Sequence, residues 1–167
     1  MSFSLLPSVI AEKVTDLTAQ WLLARQVRLL MLDFDNTLIP YTTNEPTEQL
    51  LQWIGQVQQA GIRICIISNS RKDRAPNFCR QYGIDCVTHA NKPGKGGYRR
   101  CMEQFGMKPD EAMMVGDQIF TDILGANRCG VRSVLVRSIH NHNFWLKARH
   151  VLEKPFIFVA RKRRISK

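Results

Sequence analysis

Short apolar runs alternate along the chain with longer amphipathic stretches, and that rhythm predicts the architecture. Residues 28–33 (RLLMLD), 62–67 (IRICII), 84–88 (IDCVT), 111–115 (EAMMV) and 132–137 (RSVLVR) read as strands rich in aliphatic side chains. Helical stretches fall between them near 46–60, 71–82, 95–106 and 121–129, and Gly61, Gly83, Gly106 and Gly130 stand where such helices stop. Strands of this kind alternating with helices predict an α/β fold, a three-layer Rossmann-like parallel sheet covered on both faces. Ligands of such sheets bind beyond the carboxyl ends of the strands, where the strand order switches.

The two ends of the chain fit the rhythm less well. Ile10, Val14, Leu17 and Trp21 recur at 4-3-4 spacing, which predicts an amphipathic helix over residues 8–24 within a helical extension over 1–27. The last stretch, HNFWLKARHVLEKPFIFVARKRR, mixes aromatic, aliphatic and basic residues, and Pro155 is expected to interrupt any helix there. No composition break or repeat divides the 167 residues, so a single domain over 1–167 is expected, with 155–167 as a basic tail.

Composition narrows the class further. No apolar run approaches the roughly 20 residues that span a bilayer. The start, MSFSLLPSVIAEKV, lacks the basic opening and continuous apolar stretch of a secretion signal, so a cytoplasmic protein is expected. The five cysteines, Cys65, Cys79, Cys86, Cys101 and Cys129, include no C-x-x-C pair and indicate neither a disulfide framework nor a zinc site. The net charge of +10 favours an anionic partner without choosing among phosphate, nucleic acid and an acidic membrane surface. Five of the positive charges are Arg161, Lys162, Arg163, Arg164 and Lys167.

Chemistry gathers at four successive strand ends. The first strand delivers Asp33 and Asp35, which lie two apart and point to the same side of an extended chain. Their mutual repulsion would be relieved by a divalent cation, and hard oxygen ligands suit Mg²⁺. A metal or phosphoacceptor site and a solvated turn both remain open for this pair read alone. The second strand ends in Ser68-Asn69-Ser70, a phosphate cradle or a helix cap. HANKPGKGG follows the third, with Lys92 and Lys95 available to neutralise phosphate oxygens or simply to be solvated. The fourth ends in VGDQIFTD, where Gly116 permits a close turn, Asp117 can join the same cation, and Asp122 follows in the first helical turn. Two acids, a hydroxyl, a lysine and another acid in that order supply a nucleophile, a proton donor, phosphate ligands and metal ligands.

This ordered set resembles the haloacid-dehalogenase-like superfamily of phosphatases. DFDNT at 33–37 is similar to its first motif, Ser68 to the second, Lys92 to the third and GDQIFTD at 116–122 to the fourth. DNTL, SNS, KPGK and GDQIFTDILGANR further resemble the class III, YqeG-type members, which include phosphatidylglycerophosphate phosphatases; Ser70 and Asn91 depart from that pattern. The resemblance implies that Asp33 attacks phosphorus to form an aspartyl-phosphate and that Asp35 serves as acid and then base. It implies Mg²⁺ on Asp33, the Asp35 carbonyl and Asp117. Thr37, Ser68, Asn69 and Lys92 would bind the phosphoryl group, and Asp122 would orient Lys92 or the metal shell.

The intervals 33–68 and 68–92 hold a helix and a strand each and leave no room for a large cap domain. An open site suits a phosphate on something large, such as a lipid head group, or one closed by a second subunit of a homo-oligomer. The basic tail, with Phe144, Trp145, Phe156 and Phe158, would then attach peripherally to anionic phospholipid at the inner face of the membrane, or the aromatics would complete the core. Dephosphorylation of phosphatidylglycerophosphate is the leading expectation. A soluble sugar or nucleotide phosphate as substrate is the first alternative. A nucleic-acid or ribosome-associated binding protein with a secondary phosphatase site is the second, disfavoured because no RNA-binding module or stacking motif is recognisable.

Overall fold

The structure is a computed structural model that describes residues 4–43, 45–139, 155–160 and 165. Six strands form one sheet: β1 (Val9–Ala11), β2 (Leu29–Leu32), β3 (Arg63–Ile67), β4 (Asp85–Val87), β5 (Ala112–Gly116) and β6 (Arg132–Val136). Their order is β1-β6-β5-β2-β3-β4, and every neighbouring pair is parallel. The connecting helices are α1 (Ala19–Leu23), α2 (Glu48–Gln59), α3 (Arg74–Tyr82), α4 (Lys95–Phe105) and α5 (Leu124–Arg128).

Both faces of the sheet are buried, which is why its strands are apolar at consecutive positions rather than alternate ones. Leu30 and Leu32 of β2 pack with Ile64, Ile66, Met113 and Val115 on the face covered by α2 and α3. Leu29 and Met31 turn the other way, toward Cys65, Ile67, Met114 and, from α4, Tyr98 and Cys101. From the central β2 the chain winds outward to β3 and β4 on one side, then returns to β5 and β6 on the other. The switch between β2 and β5 is the crevice where a ligand is expected.

The N-terminal segment corrects the reading of an amphipathic helix over 8–24. Val9–Ala11 is instead a strand pairing in register with Val134, Leu135 and Val136, followed by a 3₁₀ turn at Val14–Asp16 and the short α1. The edge of β6 would otherwise leave its N–H and C=O groups unpaired. Ile10 and Ala11 consequently point into different clusters, as a period of two requires. Thr18 caps α1 by accepting from the Trp21 amide at 3.1 Å, and the Trp53 indole of α2 donates to the Leu17 carbonyl at 2.8 Å. The 4-3-4 spacing thus marked residues that pack on the core, in an irregular segment rather than one helix.

At the other end, residues 155–160 are helical, while the residues just before Pro155, on which the expected interruption depends, lie outside the described ones. Phe156 packs edge-to-face on Phe120, and Ala160 is buried beside Ile119 and Ile123, whereas Phe158 is 69% exposed. Phe144, Trp145 and the basic cluster Arg161, Lys162, Arg163, Arg164 and Lys167 lie outside the described residues. Among the described residues no helix is long and apolar enough to cross a membrane.

Candidate active site

Asp33 leaves β2 with its amide still donating to the Val115 carbonyl, at 2.9 Å, so the sheet fixes its main chain against β5. Asn36 then turns the chain back with a left-handed φ of 62°, a conformation asparagine tolerates better than most residues. The turn is closed by the Asn36 amide on the Ile39 carbonyl (2.8 Å) and by the Tyr41 amide on the Asn36 side-chain oxygen (3.1 Å). This turn returns Thr37 to the crevice. Its hydroxyl lies 3.2 Å from Asp33 Oδ2 and 3.4 Å from Asp117 Oδ1, between the ends of β2 and β5.

Lys92 arrives from the loop after β4 and is almost fully buried. Its ammonium donates to Asp33 Oδ1 at 2.5 Å and to Asp122 Oδ1 at 2.7 Å. Burial disfavours the ammonium, but the charges and hydrogen bonds of Asp122 and Asp33 outweigh it, so its pKa lies above the ordinary lysine range. Asn69 locks the loop in place. Its amide nitrogen donates to the Lys92 carbonyl at 2.9 Å, and its oxygen accepts from the Lys92 amide at 2.7 Å. Ser68 is buried at the end of β3; its carbonyl accepts from the Ala90 amide, and its hydroxyl accepts from the Ser70 amide at 3.1 Å. The second and third strand ends are therefore one hydrogen-bonded unit.

Asp122 belongs to a π-type turn, Ile119–Ile123, a rare geometry frequent at functional sites. Fully buried, it accepts from Lys92 and, through Oδ2, from the Gln118 amide at 3.1 Å. Gly116 makes room for it: a Cβ there would stand 2.5 Å from Asp122 Cβ. The Tyr98 phenol, kept protonated by burial, lies 3.2 Å from the carbonyls of both Thr121 and Asp122 and so braces the turn from α4.

Asp35 takes a different course. Its carboxylate is paired with the Arg74 guanidinium rather than gathered with the other acids. Burial raises its pKa above the usual carboxylate range, with Arg74 pulling in the opposite direction. Arg74 also donates to the carbonyls of Pro40, at 3.0 Å, and Thr43, and lies 5.4 Å over the rings of both Phe34 and Tyr41. Beside it, Lys72 donates to the Tyr41 hydroxyl at 2.8 Å.

Asp33, Asp35, Thr37, Ser68, Asn69, Lys92, Asp117 and Asp122 thus stand at this end of the sheet, though not all in one cluster. The carboxylate oxygens that converge, all within 4.8 Å of one another, are those of Asp33, Asp117 and Asp122. Hard carboxylate oxygens gathered this closely are the donor type that a small divalent cation takes. Lys92 offsets part of the negative charge from one side, while Thr37 lies between Asp33 and Asp117 on the other. The arrangement offers a carboxylate held for attack, a fixed ammonium for phosphoryl oxygens and an acidic cluster for a metal.

Sequence reading missed Arg74, Tyr98 and the turn role of Asn36. A signal for the first existed: Arg71, Lys72 and Arg74 crowd the start of α3, where the helix dipole favours acids, and α3 has no acidic residue in its first turn. Cations placed against that preference have another task. Tyr98 gave no such sign, since a tyrosine in an amphipathic helix reads as core.

Known proteins resemble this chain. A family model described as HAD-hydrolase-like matches residues 89–154. A probable phosphatase, YqeG, of Bacillus subtilis is 30% identical over 131 residues, covering 78% of this chain and 76% of the relative. The chloroplastic phosphatidylglycerophosphate phosphatase 1 of Chlamydomonas reinhardtii is 28% identical over 143 residues, covering 80% of this chain and 53% of that protein. Among solved structures, the cobalt-bound deoxy-D-mannose-octulosonate 8-phosphate phosphatase of Haemophilus influenzae superposes with a TM-score of 0.56 at 14% identity. It covers 83% of this chain and 91% of that one.

Proposed function

This chain belongs to the haloacid-dehalogenase-like phosphatases and is a phosphoric monoester hydrolase, and from that premise we propose that it is Mg²⁺-dependent, works through an aspartyl-phosphate and acts on phosphatidylglycerophosphate. The observation that carries the chemistry is the Asp33 carboxylate, held at one oxygen by Lys92 and next to Thr37 at the other. A carboxylate fixed on both sides loses little freedom when it aligns with phosphorus.

In this mechanism Asp33 attacks the phosphorus of the ester in line. Asp35 protonates the departing alkoxide, then accepts a proton from the water that hydrolyses the acyl phosphate. Burial favours the protonated form of Asp35 that the first step needs, and Arg74 orients its carboxyl. Ser68, the Asn69 amide and Lys92 receive the equatorial oxygens, where positioning and charge do most of the work of phosphoryl transfer. Asp33 and Asp117, with the Asp35 carbonyl, would hold Mg²⁺, which neutralises developing charge on the phosphoryl group when bound. Asp122 keeps Lys92 in place.

The lipid substrate is supported by the relatives, one of which is a phosphatidylglycerophosphate phosphatase, and by the short intervals between the motifs. α2 and β3 occupy the first interval, and α3 and β4 the second, so among the described residues neither interval inserts a cap over the crevice. Purified protein is expected to release phosphate from phosphatidylglycerophosphate in mixed micelles with Mg²⁺ and to stop on chelation. Release from soluble sugar or nucleotide phosphates, with none from the lipid, would replace this substrate.

A further inference from the structure

The leaving alcohol must depart past the group that protonates it, so in the proposed mechanism Asp35 fixes where the rest of the substrate lies. The surroundings of Asp35 are strongly positive. Arg74 pairs with it directly, and the charge of Lys72 is also felt at its carboxyl. Arg71 and Lys72 are exposed in the loop that leads into α3, and the N-terminal end of this nine-residue helix adds positive potential of its own. Acids close by include Asp35, already paired with Arg74, Asp33, whose charge is also felt at Asp35, and Asp73, the exposed residue that precedes the helix.

This positive rim has a built partner. Lys72 donates to the Tyr41 hydroxyl at 2.8 Å and lies 5.1 Å over the Tyr41 ring, while Arg74 ties the same loop down through the carbonyls of Pro40 and Thr43. Tyr41 remains 51% exposed. The loop over residues 40–43 and the start of α3 thus form a wall beside Asp35, held by hydrogen bonds and presenting an exposed ammonium and phenol at the mouth of the crevice.

We infer that Tyr41, Arg71 and Lys72 form a subsite for a second anionic group, carried on the alcohol side of the scissile ester. A ligand of this class has a phosphomonoester at one end and a phosphodiester or phosphate a few bonds away. Lys72 and Arg71 would meet the second anion with charge-assisted hydrogen bonds, and the Tyr41 hydroxyl would add a neutral donor. The inference rests on the role proposed for Asp35, and it holds whether the anion belongs to a lipid head group or to a soluble compound.

The test compares two soluble esters, glycerol 3-phosphate, whose leaving alcohol is neutral, and glycerophosphoglycerol phosphate, whose leaving alcohol carries a phosphodiester. The lipid phosphatidylglycerophosphate in mixed micelles is the third substrate. Wild type is expected to prefer the diester-bearing ester in kcat/KM. Lys72→Ala should lower that preference about tenfold, the size of one charge-assisted contact, and Lys72→Gln should give an intermediate value. Arg63→Ala removes the same charge at the opposite end of the sheet and should leave the preference unaltered. A preference unchanged in both Lys72 variants, or lowered equally by Arg63→Ala, overturns the subsite while leaving the phosphatase reading intact. Turnover of the soluble diester-bearing compound without turnover of the lipid removes the lipid substrate and supports the subsite.

Discussion

Two ion pairs flank the crevice, and they are built in opposite ways. Lys92 with Asp33 and Asp122 is sealed in the protein, its side chain 2% exposed. Arg74 with Asp35 is partly open and is joined by an exposed Lys72–Tyr41 contact. At the sealed end the charged groups are positioned by the fold, through the π-type turn, the Asn69 lock and the space left by Gly116. At the open end the groups are held by loops and remain accessible. The contrast separates what the reaction needs from what the substrate brings: the phosphoryl group is the same in every ester, so its site can be rigid, whereas the alcohol varies.

Breaking the sealed end should have the largest effects. Asp33→Asn keeps the shape and removes the proposed nucleophile, so steady-state phosphate release should fall by about 10⁴-fold or more. Measurable burst or turnover near the wild-type rate in that variant would remove the covalent mechanism. Lys92→Met leaves two buried carboxylates facing each other without a counter-charge, and urea unfolding with chelator present should show a loss of about 3–5 kcal/mol. At the open end, Tyr41→Phe removes an exposed acceptor and should change the same unfolding free energy by less than about 1 kcal/mol. Equal losses in the last two variants would erase the distinction between the ends.

Much of the fold was legible because parallel strands buried on both faces must be apolar at consecutive positions, as LLML and RICII are. The glycine stops marked the helix ends, and Gly83 and Gly106 indeed cap α3 and α4 in left-handed conformations. β1 was not legible, because a three-residue edge strand carries too few positions to show its period. The strand ends of the site were legible, since carboxylates and lysines do not end buried strands without cause. Arg74 and Tyr98 were not. Their roles depend on which loop or turn comes to lie beside them, and local spacing holds no record of that.

The pairing of β1 with β6 also sets an order of events for a chain made from its N-terminus. Val9 finds its partner in Val134, so the first strand waits until β6 has been synthesised. β2 and β3 can pair long before, but Asp33 gains the Val115 contact, and with it the neighbourhood of Asp117, only when β5 emerges. A growing polypeptide therefore carries Asp33 through the synthesis of α2, β3, α3, β4 and α4 before Asp117 is made. The buried cluster of Asp33, Lys92, Asp117 and Asp122 can assemble only once β5 and the turn after it have been made.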